Sequence, residues 1–293
     1  MTATGLDVPP SYHSSATHRP TALPVRVFRR RRGWVALDWR ELWEYRELLF
    51  FLTWRDVKIR YKQTVLGAAW AVLQPALSMV IFTLIFGRLA KLPSDGAPYP
   101  IFVYAGLLPW TFFANAVTTS ANSLVNSSNL ITKVYFPRVI VPLAAVGAGL
   151  VDLAVAFMLV AVLLVWYHIP LTPMFLLLPA VIAGTIVAAV GVGTVLSALT
   201  VTYRDFRYVV PFTVQLWLYA TPVMYAASVV PTRWRTAYAL NPMAGLTDAF
   251  RAAILGRTPI WPMVGVSTAS AIVILVVGLA YFQRVERRFV DIV

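Results

Sequence analysis

Within residues 55–75, RDVKIRYKQTVLGAAWAVLQP, the chain passes from a run with a charge at almost every second position into an apolar segment. Arg55, Asp56, Lys58, Arg60 and Lys62 precede Leu66, and no charged residue follows until Arg88. Such a boundary predicts passage from water into lipid. Uncharged apolar runs near the bilayer-spanning length of about 20 residues recur downstream. They predict six spans, at 66–87, 99–121, 139–166, 175–200, 208–230 and 263–283. Gln74-Pro75 interrupts the first, where the missing N–H predicts a kink and a freed carbonyl in mid-span. The second turns polar through Thr118, Thr119, Ser120, Asn122, Ser123, Asn126 and Asn129. Its last turns must face water or protein rather than lipid.

The segments between and before these runs carry their own patterns. Asp38-Trp39-Arg40-Glu41 has an N-cap residue followed at the right spacing by a carboxylate, which starts a helix. Continued through Lys62, that helix aligns Phe50, Trp54, Val57 and Tyr61 on one stripe, beside a face carrying Arg55, Lys58 and Lys62. This is an amphipathic helix suited to a membrane surface. Leu48, Leu52 and Ile59 form a second apolar patch, which predicts a packing partner. Residues 231–262 are too long for a turn and too polar for a span. There Asn241-Pro242 supplies an N-cap and N1 pair and Gly256 a stop, for a helix of about 14 residues. Met243, Leu246, Phe250 and Ile254 share one face of it, Asp248 and Arg251 another. So short a helix lies at the outer surface or dips back into the bilayer, which is tolerated only inside protein or along water.

Composition agrees with the pattern. Of 293 residues 59% are hydrophobic and only 13% charged, too apolar for a single soluble core. The formal charge of +13 sits at the edges of apolar segments rather than on one face, which excludes nucleic acid as the partner. Residues 1–37, rich in Pro, Ser, Thr and Arg and carrying Arg29-Arg30-Arg31-Arg32, read as a disordered basic cytoplasmic tail without a signal peptide. Residues 38–293 form the membrane domain. Lys and Arg cluster before the first span, at Lys133 and Arg138, at Arg204 and Arg207, and at Arg284, Arg287 and Arg288. That asymmetry places both termini in the cytoplasm. There is no cysteine, and His13, His18 and His168 are too few for a histidine metal centre. None of the four lysines follows a glycine, so the chain is not its own P-loop ATPase. It has no carboxylate pair or Gly-x-Ser-x-Gly elbow either, and is not catalytic alone.

Some residues depart from what a plain span or loop requires. Asp152, the one acid deep inside a span, costs about 2.5–3.5 kcal/mol to insert and demands compensation. It reads either as a group on a polar pathway or as a structural residue bonded to a neighbouring helix. Gln215, Trp217, Tyr219 and Thr221 alternate with apolar residues in the fifth segment, and amphipathic rings of this kind present flat faces to sugars. Two connections, 127–142 and 202–211, combine charges with aromatics. They serve either partner docking or headgroup anchoring.

Four stretches can be named together: RDVKIRYKQTVLGAAWAVLQP, ITKVYFPRVIVP, YRDFRYVVP followed by LWLYATPVMY, and LNPMAGLTDAFRAAILG. In order and spacing they resemble the permease subunit of ABC-2-type polysaccharide exporters, the O-antigen and teichoic acid permeases among them. The likeness runs over about residues 40–290. It implies an all-α integral membrane protein of the bacterial inner membrane, with six spans, an N-terminal interfacial helix and re-entrant outer helices. It also implies a homodimer that works with two copies of a separate ATP-binding subunit. ATP and Mg are used by that subunit, and this chain holds no cofactor. By resemblance, Lys133, Tyr135, Phe136 and Arg138 contact the ATPase, with Arg204, Asp205 and Arg207 as a lesser contact. Trp70 and Gln74 of the first span, with Gln215, Trp217, Tyr219 and Thr221 of the fifth, line the channel. Asn241, Pro242, Asp248 and Arg251 belong to the outer gate. The cargo is a glycan on a lipid diphosphate, for which Arg55, Arg60 and Lys62 offer charge-assisted bonds. A drug or lipid exporter of the same type is the alternative, and a secondary transporter a more distant one.

Overall fold

The computed structural model describes residues 39–62 and 67–286. The tail at 1–37, the cap at Asp38 and the start of the first span at Leu66 lie outside the described residues. Among the described residues, every regular element is helical. In chain order these are α1 (Trp39–Glu44), α2 (Arg46–Lys62), α3 (Gly67–Phe82), α4 (Tyr99–Asn126), α5 (Ser128–Lys133) and α6 (Ile140–Trp166). They continue with α7 (Leu178–Thr202), α8 (Phe206–Tyr219), α9 (Thr232–Tyr238), α10 (Pro242–Leu255) and α11 (Trp261–Glu286). Pro75 lies inside α3, which runs on as a π-helical stretch, Thr83–Leu89.

Among the described residues, five segments are long and apolar enough to cross a membrane: Ala69–Leu89, Tyr99–Asn126, Ile140–Trp166, Pro173–Thr202 and Trp261–Glu286. The expected fifth span of six, 208–230, is corrected. Its helix, α8, stops at Tyr219 after 14 residues. At 1.5 Å per residue that is about 21 Å, short of a hydrocarbon core about 30 Å thick. Pro222 disfavours helical backbone at the preceding Thr221, and the chain turns through 220–226 before a short 3₁₀ segment, Ala227–Val229.

At the centre stands α4, packed against α6 and α7 and flanked by α3, α8 and α10. This burial answers its polarity, since Ser120 and Ser123 are enclosed by protein. Across the bundle α7 and α11 pack closely at paired glycines. A Cβ on Gly191 would lie 2.7 Å from the backbone of Leu275, and one on Gly278 would lie 2.6 Å from the carbonyl of Gly191. Small residues permit this approach, as at other helix crossings in membranes.

At the basic end, Leu52, Leu124, Ile131, Phe136, Ile140, Val201 and Phe282 form a second apolar cluster joining α2, α4, α5, α6, α7 and α11. The partner expected for the second apolar patch of α2 is therefore this cluster. Leu52 and Leu48 pack into it, whereas Ile59 is exposed. The stripe on α2 divides as well, with Val57 buried and Phe50 and Trp54 outward. Tyr45 interrupts the single helix expected from Asp38, separating α1 from α2.

The expected helix after Asn241 is present. The Asn241 side chain accepts from Met243 N, Pro242 occupies the first turn, and Gly256 ends the helix at φ +69°. A left-handed residue there favours glycine. Rather than lying on a surface, α10 is buried on both faces against α11, α4 and α7.

Candidate functional site

A cavity of about 560 Å³ opens between α3 on one side and α4 and α6 on the other, with the end of α2 at its edge. Trp70, Ala71, Gln74 and Pro75 form the α3 wall, and Thr111, Asn115, Thr118 and Thr119 stand on α4. The helical repeat puts those four α4 residues on one face. Asp152 comes from α6, and Arg60 and Tyr61 from α2. Asp152 has the compensation its position requires. Arg60 forms a salt bridge with one carboxylate oxygen, and Tyr61 donates its hydroxyl to the other at 2.5 Å. A second Arg60 nitrogen donates to Thr119 Oγ1 at 3.5 Å. Burial and the adjacent carboxylate hold the Tyr61 hydroxyl above the ordinary phenol range, so it stays a donor.

These contacts change the reading of the three basic candidates. Arg60 is engaged by Asp152, and Arg55 by its neighbour Asp56 at 2.8 Å. Lys62 is exposed and has no acidic partner among the described residues. The four candidates of the fifth segment separate for a geometric reason. Alternation is a strand period, and on a helix it divides into pairs four residues apart. Gln215 and Tyr219 point outward. Trp217 packs edge-on against Phe113, with ring centres 5.2 Å apart, and donates to Asn241 Oδ1 at 3.0 Å. Thr221 is fully buried and bonds to the Asn241 amide at 3.0 Å, so it braces a helix cap rather than forming a wall.

Arg251, expected on the face of α10 away from its apolar residues, is 4% exposed. It donates to Phe102 O at 3.1 Å, to Pro222 O at 2.8 Å and to Val223 O at 2.9 Å, and reaches Tyr225 O at 3.5 Å. Its guanidinium also lies 3.9 Å from the ring centre of Phe102. Burial pulls Arg251 down to about 10, which leaves it charged at neutral pH. Asp248 accepts from Ile260 N at 3.1 Å, at the start of α11, and burial raises its carboxyl above the ordinary range.

The two aromatic connections lie at the basic end. In the first, Lys133 is exposed and Tyr135 is 67% exposed, but Phe136 is 4% exposed and belongs to the second apolar cluster. Arg138 turns inward too, its backbone N–H donating to the Glu286 carboxylate and its guanidinium to the Glu286 carbonyl. In the second, Arg204, Asp205 and Arg207 are exposed together with Tyr203 and Tyr208. Of the expected contact residues, Lys133, Tyr135, Arg204, Asp205 and Arg207 are therefore exposed, and Phe136 and Arg138 are turned inward.

Sequence similarity extends over most of this architecture. An O-antigen export system permease protein (RfbA) of Klebsiella pneumoniae is 30% identical over 247 residues, 84% of this chain and 95% of the relative. A permease of the same name from Myxococcus xanthus is 33% identical over 215 residues, 73% of this chain and 82% of its own length. The polysialic acid transport protein KpsM of Escherichia coli is 23% identical over 240 residues, 79% and 91% of the two chains. The profile of the ABC-2 type transporter family matches residues 47–255, from the second residue of α2 to the last of α10. The cavity, the buried Arg251 and the exposed residues of the two basic-end connections thus lie within the matched segment, and the chain belongs to the ABC-2 type transporter family.

Proposed function

We propose that this chain is the membrane-spanning permease subunit of an ATP-driven exporter. Its cargo is a lipid-linked cell-surface polysaccharide, an O-antigen, teichoic acid or similar glycan. The observation that carries this reading is the match to an O-antigen permease over 95% of that protein's length. The subunit acts as a homodimer in the bacterial inner membrane with two copies of a separate ATP-binding chain, where ATP and Mg are used. We read α8 with the turn and 3₁₀ segment after it as the fifth pass in chain order, which brings the total to six and leaves both termini cytoplasmic. On this topology α9 and α10 form a re-entrant outer gate containing Asn241, Pro242, Asp248 and Arg251. Closure of the ATPases pulls on α2 and on the basic-end connections, and the first and fifth passes move apart. Among the basic candidates, Lys62 is the group available to the lipid diphosphate.

Deleting the gene is expected to leave lipid-linked glycan in the cytoplasm, measured by extraction and mass spectrometry. Accumulation of a drug or an ordinary lipid instead would favour the alternative cargo. Purified with its ATPase in vesicles, the protein is expected to export glycan in a vanadate-sensitive manner. Full transport by the chain alone would overturn the two-component reading.

The two neighbours in the 133–138 connection give a sharper test. Tyr135→Ala removes a 67% exposed ring and is expected to weaken co-purification with the ATPase while lowering the melting temperature in nanodiscs less than the neighbouring change does. Phe136→Ala empties a buried site, at a typical cost of about 3–5 kcal/mol, and is expected to lower the melting temperature first.

A further inference from the structure

We propose that α11, the last span, is the rod that carries movement of the 133–138 connection to the outer gate, with Glu286 and Ser267 as the positioning residues at its two grips. The inference rests on the exporter reading and adds to it the element that joins the two ends of the molecule.

Three observations lead there. First, α11 holds the connection at the basic end. The Glu286 carboxylate accepts from Arg138 N at 3.0 Å, and the Glu286 carbonyl accepts from the Arg138 guanidinium at 2.8 Å. One turn earlier, Phe282 is fully buried in the cluster that also encloses Phe136. A bond to a backbone N–H fixes the course of the connection and not merely one of its side chains. Second, the same helix holds the re-entrant segment. Ser267 Oγ shares its proton between Ala239 O at 2.8 Å and Asn241 O at 3.0 Å, and accepts from Gly245 N at 2.9 Å. Ser270 Oγ donates to Leu240 O at 2.7 Å. Inside a span these backbone groups have no water to turn to, so the tip at 239–241 must follow α11 or lose its bonds. Third, nothing breaks the helix between the grips. It runs for 26 residues, and its one proline, Pro262, lies in the first turn. From Ser267 to Glu286 the rise is about 28 Å, and a rigid element of that kind carries a shift from one site to another. Its closest approach to α7 is backbone against backbone at Gly191 and Gly278. Packed helices slide past one another in small steps at such crossings.

The chain contains no cysteine, so a single introduced thiol reports on one place. Leu240→Cys, 65% exposed at the tip of the re-entrant segment, is the reporter, and Lys91→Cys, exposed in the connection before α4, is the control. Each is assembled with the partner ATPase in nanodiscs, and alkylation is followed with and without ATP. ATP is expected to change the rate at 240 about fivefold or more, the lower end of usual couplings between distant sites, and to leave the rate at 91 unchanged. Adding Glu286→Ala is expected to cut the response at 240 to less than about twofold, while co-purification and ATP hydrolysis continue. Glu286→Gln is expected to keep the response, because its amide oxygen still accepts from Arg138 N. Ser267→Ala is expected to change the rate at 240 before ATP is added, since it frees the tip itself. An undiminished response in Glu286→Ala would overturn the proposal, as would a loss of response that comes only with loss of the ATPase from the complex. A response kept in Glu286→Ala and lost in Trp217→Phe, which removes the bond from α8 to Asn241, would overturn it and assign the gate to α8. Failure of the exporter reading shows separately, as a deletion strain that accumulates no lipid-linked glycan.

Discussion

Replacing Arg251 with methionine is expected to remove a large share of the protein's stability and to lower its melting temperature markedly, although the substitution is in a short helix outside the five long spans. The carbonyls of Pro222, Val223 and Tyr225 lie in the turn after α8 and receive no other hydrogen bond among the described residues. Hydrogen bonds to a charged group contribute about 1.5–3 kcal/mol each. Losing the two at 2.8 and 2.9 Å therefore costs on the order of 4 kcal/mol, set against a total stability of about 5–15 kcal/mol. The stacking over Phe102 is lost as well. The measurement is the fraction of protein that stays monodisperse in nanodiscs after stepwise heating. Arg251→Lys is expected to fall between wild type and Arg251→Met, because one ammonium on a flexible stem cannot serve Phe102 O and the turn carbonyls in the fork geometry of a guanidinium. Gly106→Ala tests the same contact from the other side. Its Cβ would collide with the Arg251 guanidinium and lie 3.0 Å from Val223 O. Overpacking of this kind costs about 1–3 kcal/mol. A wild-type melting curve for Arg251→Met would show that the turn holds itself.

The arrangement around Arg251 also shows what a sequence reveals and what it withholds. The cap at Asn241, the proline after it and the stop at Gly256 are local rules, settled by backbone chemistry within a turn of helix, and they were legible. Helices near the expected spans at 99–121 and 139–166 were legible because lipid-length apolar runs admit few alternatives. The inward direction of Arg251 was not. An arginine between Phe250 and Ala252 on a short helix carries no mark of its direction until the chain brings 222–225 back across it. The pair made by Asp152 and Arg60 spans 92 positions, and no periodicity links them. Tyr135 and Phe136 look equally exposed in the sequence, yet one turn of backbone sends the second into the core. The shortened fifth helix had a visible cause in Pro222, but the uncharged run through 230 argued the other way.

Exchanging Arg60 and Asp152 is expected to rescue two damaging single changes. Asp152→Arg places a second guanidinium against Arg60, and Arg60→Asp places a second carboxylate against Asp152. Each is expected to lower the melting temperature and to cut export about tenfold or more, since like charges replace a partly buried pair whose breakage costs up to about 3–5 kcal/mol. Both side chains keep some exposure, 31% and 22%, so the loss should fall toward the lower end of that range. The double variant restores opposite charges across the same gap between α2 and α6. A double-mutant cycle is then expected to return a coupling of about 0.5–3 kcal/mol in stability. Export should recover in step, because on the proposed mechanism α2 is the lever and this pair is where it grips the bundle. Tyr61 supplies the internal control. Tyr61→Phe removes one hydrogen bond to Asp152 and no charge, at about 0.5–1.5 kcal/mol, and should leave the coupling between Arg60 and Asp152 in place. If the exchanged protein melts and exports no better than the sum of its single changes predicts, the pair is not what holds α2 to α6. The junction would then rest on apolar packing, including that of Leu52 and Leu48.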